Sequence, residues 1–181
     1  MDRRQRKTRE LIFNAFIFLL SKKHYNAITV GEIIEIANVG RATFYSHFET
    51  KDFLLKELCV ELFSHLFNAE NDGDDDGIFN CDIHGNVFLH LFEHVKENDN
   101  NIRKLLTSQN NELFLEYFKG EVTKLFKARE LEFSAKKPDT IPQDFWLNHV
   151  TSTFIETLGW WIKTKMKQSP EVIYNYFLQL I

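Results

Sequence analysis

Residues Val39 to Lys51, VGRATFYSHFETK, place an arginine, a histidine, a lysine and three aromatics within thirteen positions. Arg41, Thr43, Ser46 and His47 are hydrogen-bond donors that one face of a short helix can present. Tyr45 can lay its ring on a sugar-phosphate backbone and donate its hydroxyl. Lys51 stands at the start of the next helix, where its amide and ammonium can hold one phosphate. Phe44 and Phe48, four apart, make the opposite face apolar together with Val39. Donors on one side and aromatic anchors on the other suit contact with phosphates and base edges.

Other groupings carry less chemistry. In DGDDDG, Asp72, Asp74 and Asp76 fall at positions 1, 3 and 5 of a calcium loop and Gly77 at position 6. The twelfth position, which needs a bidentate glutamate, is Ile83, so the stretch reads as a solvated acidic turn. Cys81, His84, His90 and His94 include one pair a single helical turn apart. No spacing completes a tetrahedral set, and no metal or other cofactor is expected. No nucleophile elbow, phosphate loop or zinc-peptidase motif is present, so the chain is not expected to be an enzyme.

The elements that must hold the Val39–Lys51 stretch follow from periodicity. The 181 residues suffice for a real core, and three prolines and seven glycines favour helices. Ile12, Ala15, Phe16 and Leu19 mark an amphipathic helix from about 5 to 22. Thr29 and Glu32 form a capping box that starts a second helix near 30. ANVG (Ala37–Gly40) is a tight turn, with Asn38 suited to a left-handed backbone. A third helix runs from Arg41 to His47, and Thr50 caps a fourth in which Leu54, Leu58 and Leu62 repeat. NDGDDDG (Asn71–Gly77) is a loop. Helical patterns resume at 83–97 and 110–129, around a turn-rich piece at 99–107. Thr140 and Gln143 suggest a further capping box opening a helix to about 167, and Ser169-Pro170-Glu171 caps the last. No strand-period alternation appears. The expectation is an all-α protein: an N-terminal three-helix head, residues 1–50, and a larger helical body, residues 51–181.

Charge divides the same way. Residues 1–60 hold ten Lys/Arg against seven Asp/Glu, a balance of +3; residues 61–181 hold twelve against nineteen, a balance of −7. Arg3, Arg4, Arg6, Lys7 and Arg9 crowd the start, which suits a local contact with a polyanion. Arg3, Arg4 and Arg6 are expected to precede the first helix as a basic arm that enters a minor groove. Cys59 and Cys81 require no disulfide, which fits a reducing cytoplasm. LIFNAFIFLL (Leu11–Leu20) is too short to span a bilayer and no cleavage site follows it, so neither membrane insertion nor secretion is expected.

Two short helices joined by a four-residue turn form a helix-turn-helix, whose second helix enters the DNA major groove. The stretch TVGEIIEIANVGRATFYSHFETKDFLL resembles the DNA-binding head of the TetR/AcrR family of bacterial transcription regulators. Thr29, Val30, Ile33, Ala37, Val39, Thr43, Tyr45, His47, Phe48, Lys51 and Leu54 match the family pattern. GWWIKTKMKQSPEVIYNYFLQL resembles the terminal helices of a branch common in Gram-positive bacteria.

The resemblance implies a cytoplasmic, ligand-responsive regulator, more often a repressor, that binds a pseudo-palindromic double-stranded operator as a homodimer. An unknown small-molecule effector would sit in the body, at a pocket the sequence does not single out. A co-activator working through protein–protein contact is the alternative. On the head it implies DNA contacts by Thr29, Gly40, Arg41, Ala42, Thr43, Tyr45, Ser46, His47 and Lys51, with base reading resting on Arg41, Ala42 and Ser46 because Gly31 offers no side chain. Departures from the pattern are Asn38 for a turn glycine, Gly40 for serine and Ile34 for a small alanine. Relatives dimerise through their last two long helices. Val150, Phe154, Leu158 and Trp161 form one stripe there, Ile173, Phe177 and Leu180 a second, and Gly159 permits close approach; these eight are the expected dimer interface.

Overall fold

The structure is a computed structural model that describes residues 3–68, 86–97, 102–107, 112–129, 133 and 136–181. Among the described residues every regular element is helical, as expected. They are α1 (Arg3–Leu20), a 3-10 turn (Tyr25–Ala27), α2 (Val30–Ala37), α3 (Arg41–His47), α4 (Lys51–Asn68), α5 (Val87–Glu97), α6 (Ile102–Thr107), α7 (Glu112–Ala128), α8 (Gln143–Lys163) and α9 (Pro170–Leu180). The acidic loop Asn71–Gly77, Cys81 and His84 lie outside the described residues.

In the head, α1 buries Ile12, Phe13, Ala15, Phe16, Ile17, Leu19 and Leu20 and packs on α2. The α2 capping box forms: Thr29 Oγ1 accepts from the Glu32 amide at 3.3 Å, and the Thr29 amide donates to Glu32 Oε2 at 2.9 Å. Glu32 also pairs with Lys23, and this bond, ahead of those from Thr29, pushes its pKa down to about 2. Asn38 ends α2 in the left-handed region at φ 53°, and the Val39 amide returns to the Ile34 carbonyl at 3.1 Å.

Two boundaries differ from expectation. Arg3, Arg4 and Arg6 do not precede the first helix; they form its first turns, since Arg, Gln and Lys are good helix formers and no breaker intervenes. At the other end, α8 starts at Gln143 with Pro142 as N-cap and no side-chain cap bond. Thr140 therefore lies two residues before the N-cap, and the Thr140–Gln143 capping box does not form. Residues 102–107, expected as turn-rich, are helical.

The body is joined through aromatic rings. Phe63 of α4 meets Phe118 of α7 at 5.0 Å between centroids, and Phe88 of α5 stacks on Phe126 of α7 at 4.1 Å. Phe154 of α8 lies 4.9 Å from Phe92 and 5.3 Å from Phe177 of α9, and Trp161 lies 5.7 Å from Phe92. The stripes expected at a dimer interface are covered within the protomer. Val150, Phe154, Leu158, Trp161, Ile173 and Phe177 are all buried within the protomer, where α5 and α7 cover them. Periodicity reveals that a helix has an apolar face but not what covers it. Of the expected set only Gly159 and Leu180 retain surface, and Leu180 is 63% exposed. Past α8, Lys165 and Met166 take left-handed backbones, the Met166 amide returns to Trp161 O at 2.9 Å, and Ser169 caps α9.

His90 and His94 share a face of α5 with rings 4.5 Å apart, and both are buried. Burial, and then the neighbouring His90, hold the His94 pKa down to about 4.

Two outcomes follow for stability. Phe154→Ala should lower the unfolding free energy by about 3–5 kcal/mol, independently of protein concentration, in urea titrations. A concentration-dependent effect would return Phe154 to an interface. For His94, the unfolded imidazole binds a proton near its ordinary pKa of 6.5 and the folded one only near about 4. Stability attributable to it is therefore intact above pH 6.5 and falls as pH drops towards 4, by at most about 3 kcal/mol. Against the parent, His94→Gln should show a flatter stability profile across that interval.

Candidate nucleic-acid interface

The recognition surface is set by what α3 buries. Phe44 and Phe48 are fully buried, 6.0 Å apart, and Phe48 lies 5.3 Å from Phe13 of α1. That contact points the other side of α3 outward. Arg41, Ala42, Thr43, Tyr45 and Ser46 are exposed, and His47 is half-buried at the last turn. Tyr45 stands edge-on to Phe44 at 5.4 Å, so its outward ring is braced from behind. Ser46 Oγ donates to Thr43 O at 2.7 Å, which leaves its lone pairs to accept. Burial, then the charge of Arg9, lowers the His47 pKa, so at neutral pH it meets a ligand as an imidazole.

The remaining expected contacts divide. The Thr29 hydroxyl is engaged in the cap, accepting from the Glu32 amide and donating to Glu32 Oε2 at 2.9 Å. Gly40 is the N-cap of α3 and has no positive φ; a Cβ there would meet Thr43 Oγ1 at an ordinary 3.5 Å. Gly31 is similar, its nearest neighbour being Thr29 Oγ1 at 3.7 Å. Arg3 and Arg4 are exposed, and Arg6 lies 3.9 Å from Glu10. No acidic residue offsets this charge in the first turn of α1, where cations oppose the helix dipole.

Two cations turn inward. Arg9 lies over the rings of Phe13 (5.3 Å) and Phe48 (4.8 Å) and donates to Glu57 Oε2 of α4 at 3.1 Å. It is a brace between α1, α3 and α4 rather than part of the basic cluster with which it was counted. Lys51 is also half-buried. Its Nζ donates to Tyr25 O at 2.9 Å and Ile28 O at 2.7 Å, and sits 4.2 Å from the Tyr25 ring centroid. Tyr25 in turn donates its hydroxyl to Asp52 Oδ1, and burial, then Asp52, pushes the phenol pKa well up. Tyr25, Asp52, Arg9 and Glu57 were not found as a set from sequence. Their partners are 26 to 48 residues apart, beyond any local period.

Among the described residues no group of three or more His, Cys, Asp or Glu is placed to hold a metal ion. Among the same residues no helix is long and apolar enough to cross a membrane.

Residues 12–58 match the profile of bacterial regulatory proteins of the tetR family, and residues 85–181 match a transcriptional regulator C-terminal region. A TetR transcriptional regulator from Streptococcus agalactiae 2603V superposes with a TM-score of 0.73 at 38% identity, over 99% of this chain and 96% of that one. The uncharacterized HTH-type transcriptional regulator YxbF of Bacillus subtilis (strain 168) is 26% identical over 193 residues, covering all of this chain and 46% of YxbF. The HTH-type dhaKLM operon transcriptional activator DhaS of Lactococcus lactis subsp. lactis (strain IL1403) is 32% identical over 65 residues, 36% of this chain and 35% of DhaS. The matched stretches thus span less than half the length of these two curated relatives. With a helix-turn-helix whose outward face is polar and whose inward face is aromatic, and with family matches over both head and body, the chain belongs to the TetR family of DNA-binding transcription regulators.

Proposed function

We propose that the chain is a homodimeric, ligand-responsive repressor that binds a pseudo-palindromic operator in the cytoplasm. Residues 1–50 read DNA, and residues 51–181 bind the effector and dimerise. The single observation that carries the reading is the exposed row Arg41, Thr43, Tyr45 and Ser46, held outward by buried Phe44 and Phe48. Arg41 and Ser46 face base edges with Ala42; Thr43, Tyr45 and His47 hold phosphates beside the groove. Arg3, Arg4 and Arg6 extend α1 past its brace at Arg9, by roughly 9 Å at the helical rise, and add charge contacts.

Support for the dimer comes from the outward sides of α8 and α9. Trp160 and Tyr176 are 47% and 45% exposed and, with Leu180, border an apolar groove of about 650 Å³. His149, Ser152, Thr153 and Glu156 line it from α8, while Thr157 and Ile173, both buried, border it with little surface of their own. Exposed aromatics around a shared concavity suit a second copy of the chain. The effector favours one spacing of the two heads, which requires a differential affinity of a few kcal/mol between states.

The second reading, co-activation through protein contact, draws on DhaS, which is a transcriptional activator. Deleting the gene separates the two: transcription from its target promoter rises for a repressor and falls for an activator.

Arg41→Ala should weaken binding to a fragment of the target promoter by roughly 10- to 100-fold and relax sequence preference, as read by fluorescence anisotropy. Equal binding by parent and variant would remove α3 from the interface. Trp160→Glu with Tyr176→Glu should raise the dimer dissociation constant by at least about 30-fold. Sedimentation would then show monomer where the parent is dimeric, and promoter binding would become steeply concentration-dependent. Variants that remain fully dimeric would assign dimerisation to another face.

A further inference from the structure

The family pattern makes Lys51 a phosphate contact, and the sequence supports that reading. The structure engages its ammonium elsewhere. A lysine has three N–H donors. Two of them close on carbonyls in the connection between α1 and α2, those of Tyr25 and Ile28. The ring of Tyr25 lies 4.2 Å beneath the same nitrogen. Next to it Asp52 accepts from the Tyr25 hydroxyl, so neighbouring side chains on the first turn of α4 grip one buried tyrosine at both ends, its carbonyl and its phenol. Ile28 and Lys51 are 23 positions apart and enclose the entire helix-turn-helix, α2, the turn and α3. Ile28 itself is buried and adjoins Thr29, the cap of α2.

We propose that Lys51 is a positioning residue: with Tyr25 and Asp52 it clasps the start of α4 to the entry of α2, and so fixes the angle at which α3 meets DNA. Two of its three donors are held by carbonyls within the protein, and the clasp rather than a phosphate contact is the role assigned to it. A loosened clasp leaves the charge of α3 and α1 in place and lets the head rock. Sequence-specific binding needs the angle; non-specific binding needs only the charge.

This inference rests on the DNA-binding reading, and the test keeps the two apart. Full-length parent, Lys51→Met, Tyr25→Phe and the double variant would be titrated with the operator fragment and with an unrelated duplex of equal length, over a series of KCl concentrations. Hydrogen exchange of residues 25–33 would be followed without DNA. The expected result is a roughly tenfold loss of operator affinity in each single variant, unchanged affinity for the unrelated duplex and an unchanged slope of log K against log salt. The double variant should lose less than the sum of the two, and exchange over residues 25–33 should quicken in both. Tyr25→Phe alters no charge, so it reports on the clasp alone.

A slope flattened by about one unit in Lys51→Met, with both duplexes weakened and Tyr25→Phe neutral, would make Lys51 a phosphate contact and overturn the proposal. Lowered melting temperature with operator affinity unchanged in both variants would reduce the cluster to fold stability and overturn it as well. A parent that binds neither duplex would overturn the regulator reading instead. The clasp would then be judged by exchange: faster exchange in both variants sustains it and unaltered protection removes it.

Discussion

Phe48 is the contact on which the DNA-facing geometry depends. Its ring closes the end of α3, touches Phe13 of α1 and Phe44 of α3, lies 6.5 Å from Phe53 of α4, and carries the Arg9 guanidinium on its face. Its backbone amide donates to Phe44 O at 2.9 Å, so the residue whose side chain joins three helices is also the C-cap of one. A helix of seven residues cannot hold its own shape in water. It owes both its helicity and its direction to being packed on one side, and the donors on the other side inherit that direction.

The same logic runs onward through α4. Its first turn carries Lys51 and Asp52, its second carries Glu57, and further on Leu58, Cys59 and Phe63 are buried. Cys59 is buried beside Glu121 of α7, and burial, then that carboxylate, pushes its thiol pKa well up, so it behaves as a packing residue. One helix therefore touches the connection beneath the recognition unit and the aromatic interior of the body. α4 packs on α7 at one end, and at the other Phe53 lies beside Phe48 at the end of α3.

What was legible in the sequence was local. The Thr29–Glu32 box, the left-handed Asn38, the Ser169 cap and the Phe44–Phe48 anchor each depend on residues within four positions, and each stands as read. What was not legible depended on distance. The stripe Val150, Phe154, Leu158 and Trp161 was correctly apolar, but its partner, the aromatic face of α5 and α7, could not be told from a second chain. The face with Trp160 and Tyr176 was hidden because two exposed aromatics make no strong period. Arg9 was counted by charge and Lys51 was set on a phosphate by its place in the motif, whereas their partners in this structure lie 23 to 48 residues away. Arg3, Arg4 and Arg6 were set outside the helix for want of an apolar period, although helix propensity alone continues α1 through them.

Gly31 and Gly40 sit beside the recognition surface with no strained backbone and with ordinary room for a Cβ. Neither is needed for its flexibility or its smallness within the protomer. Two positions at the mouths of α2 and α3 are therefore open to side chains without any repacking of the head. A substitution there would change the outer chemistry of the head while the buried aromatics that hold α3 stay as they are. The surface and the packing beneath it are thus separable: one can be altered residue by residue without disturbing the other.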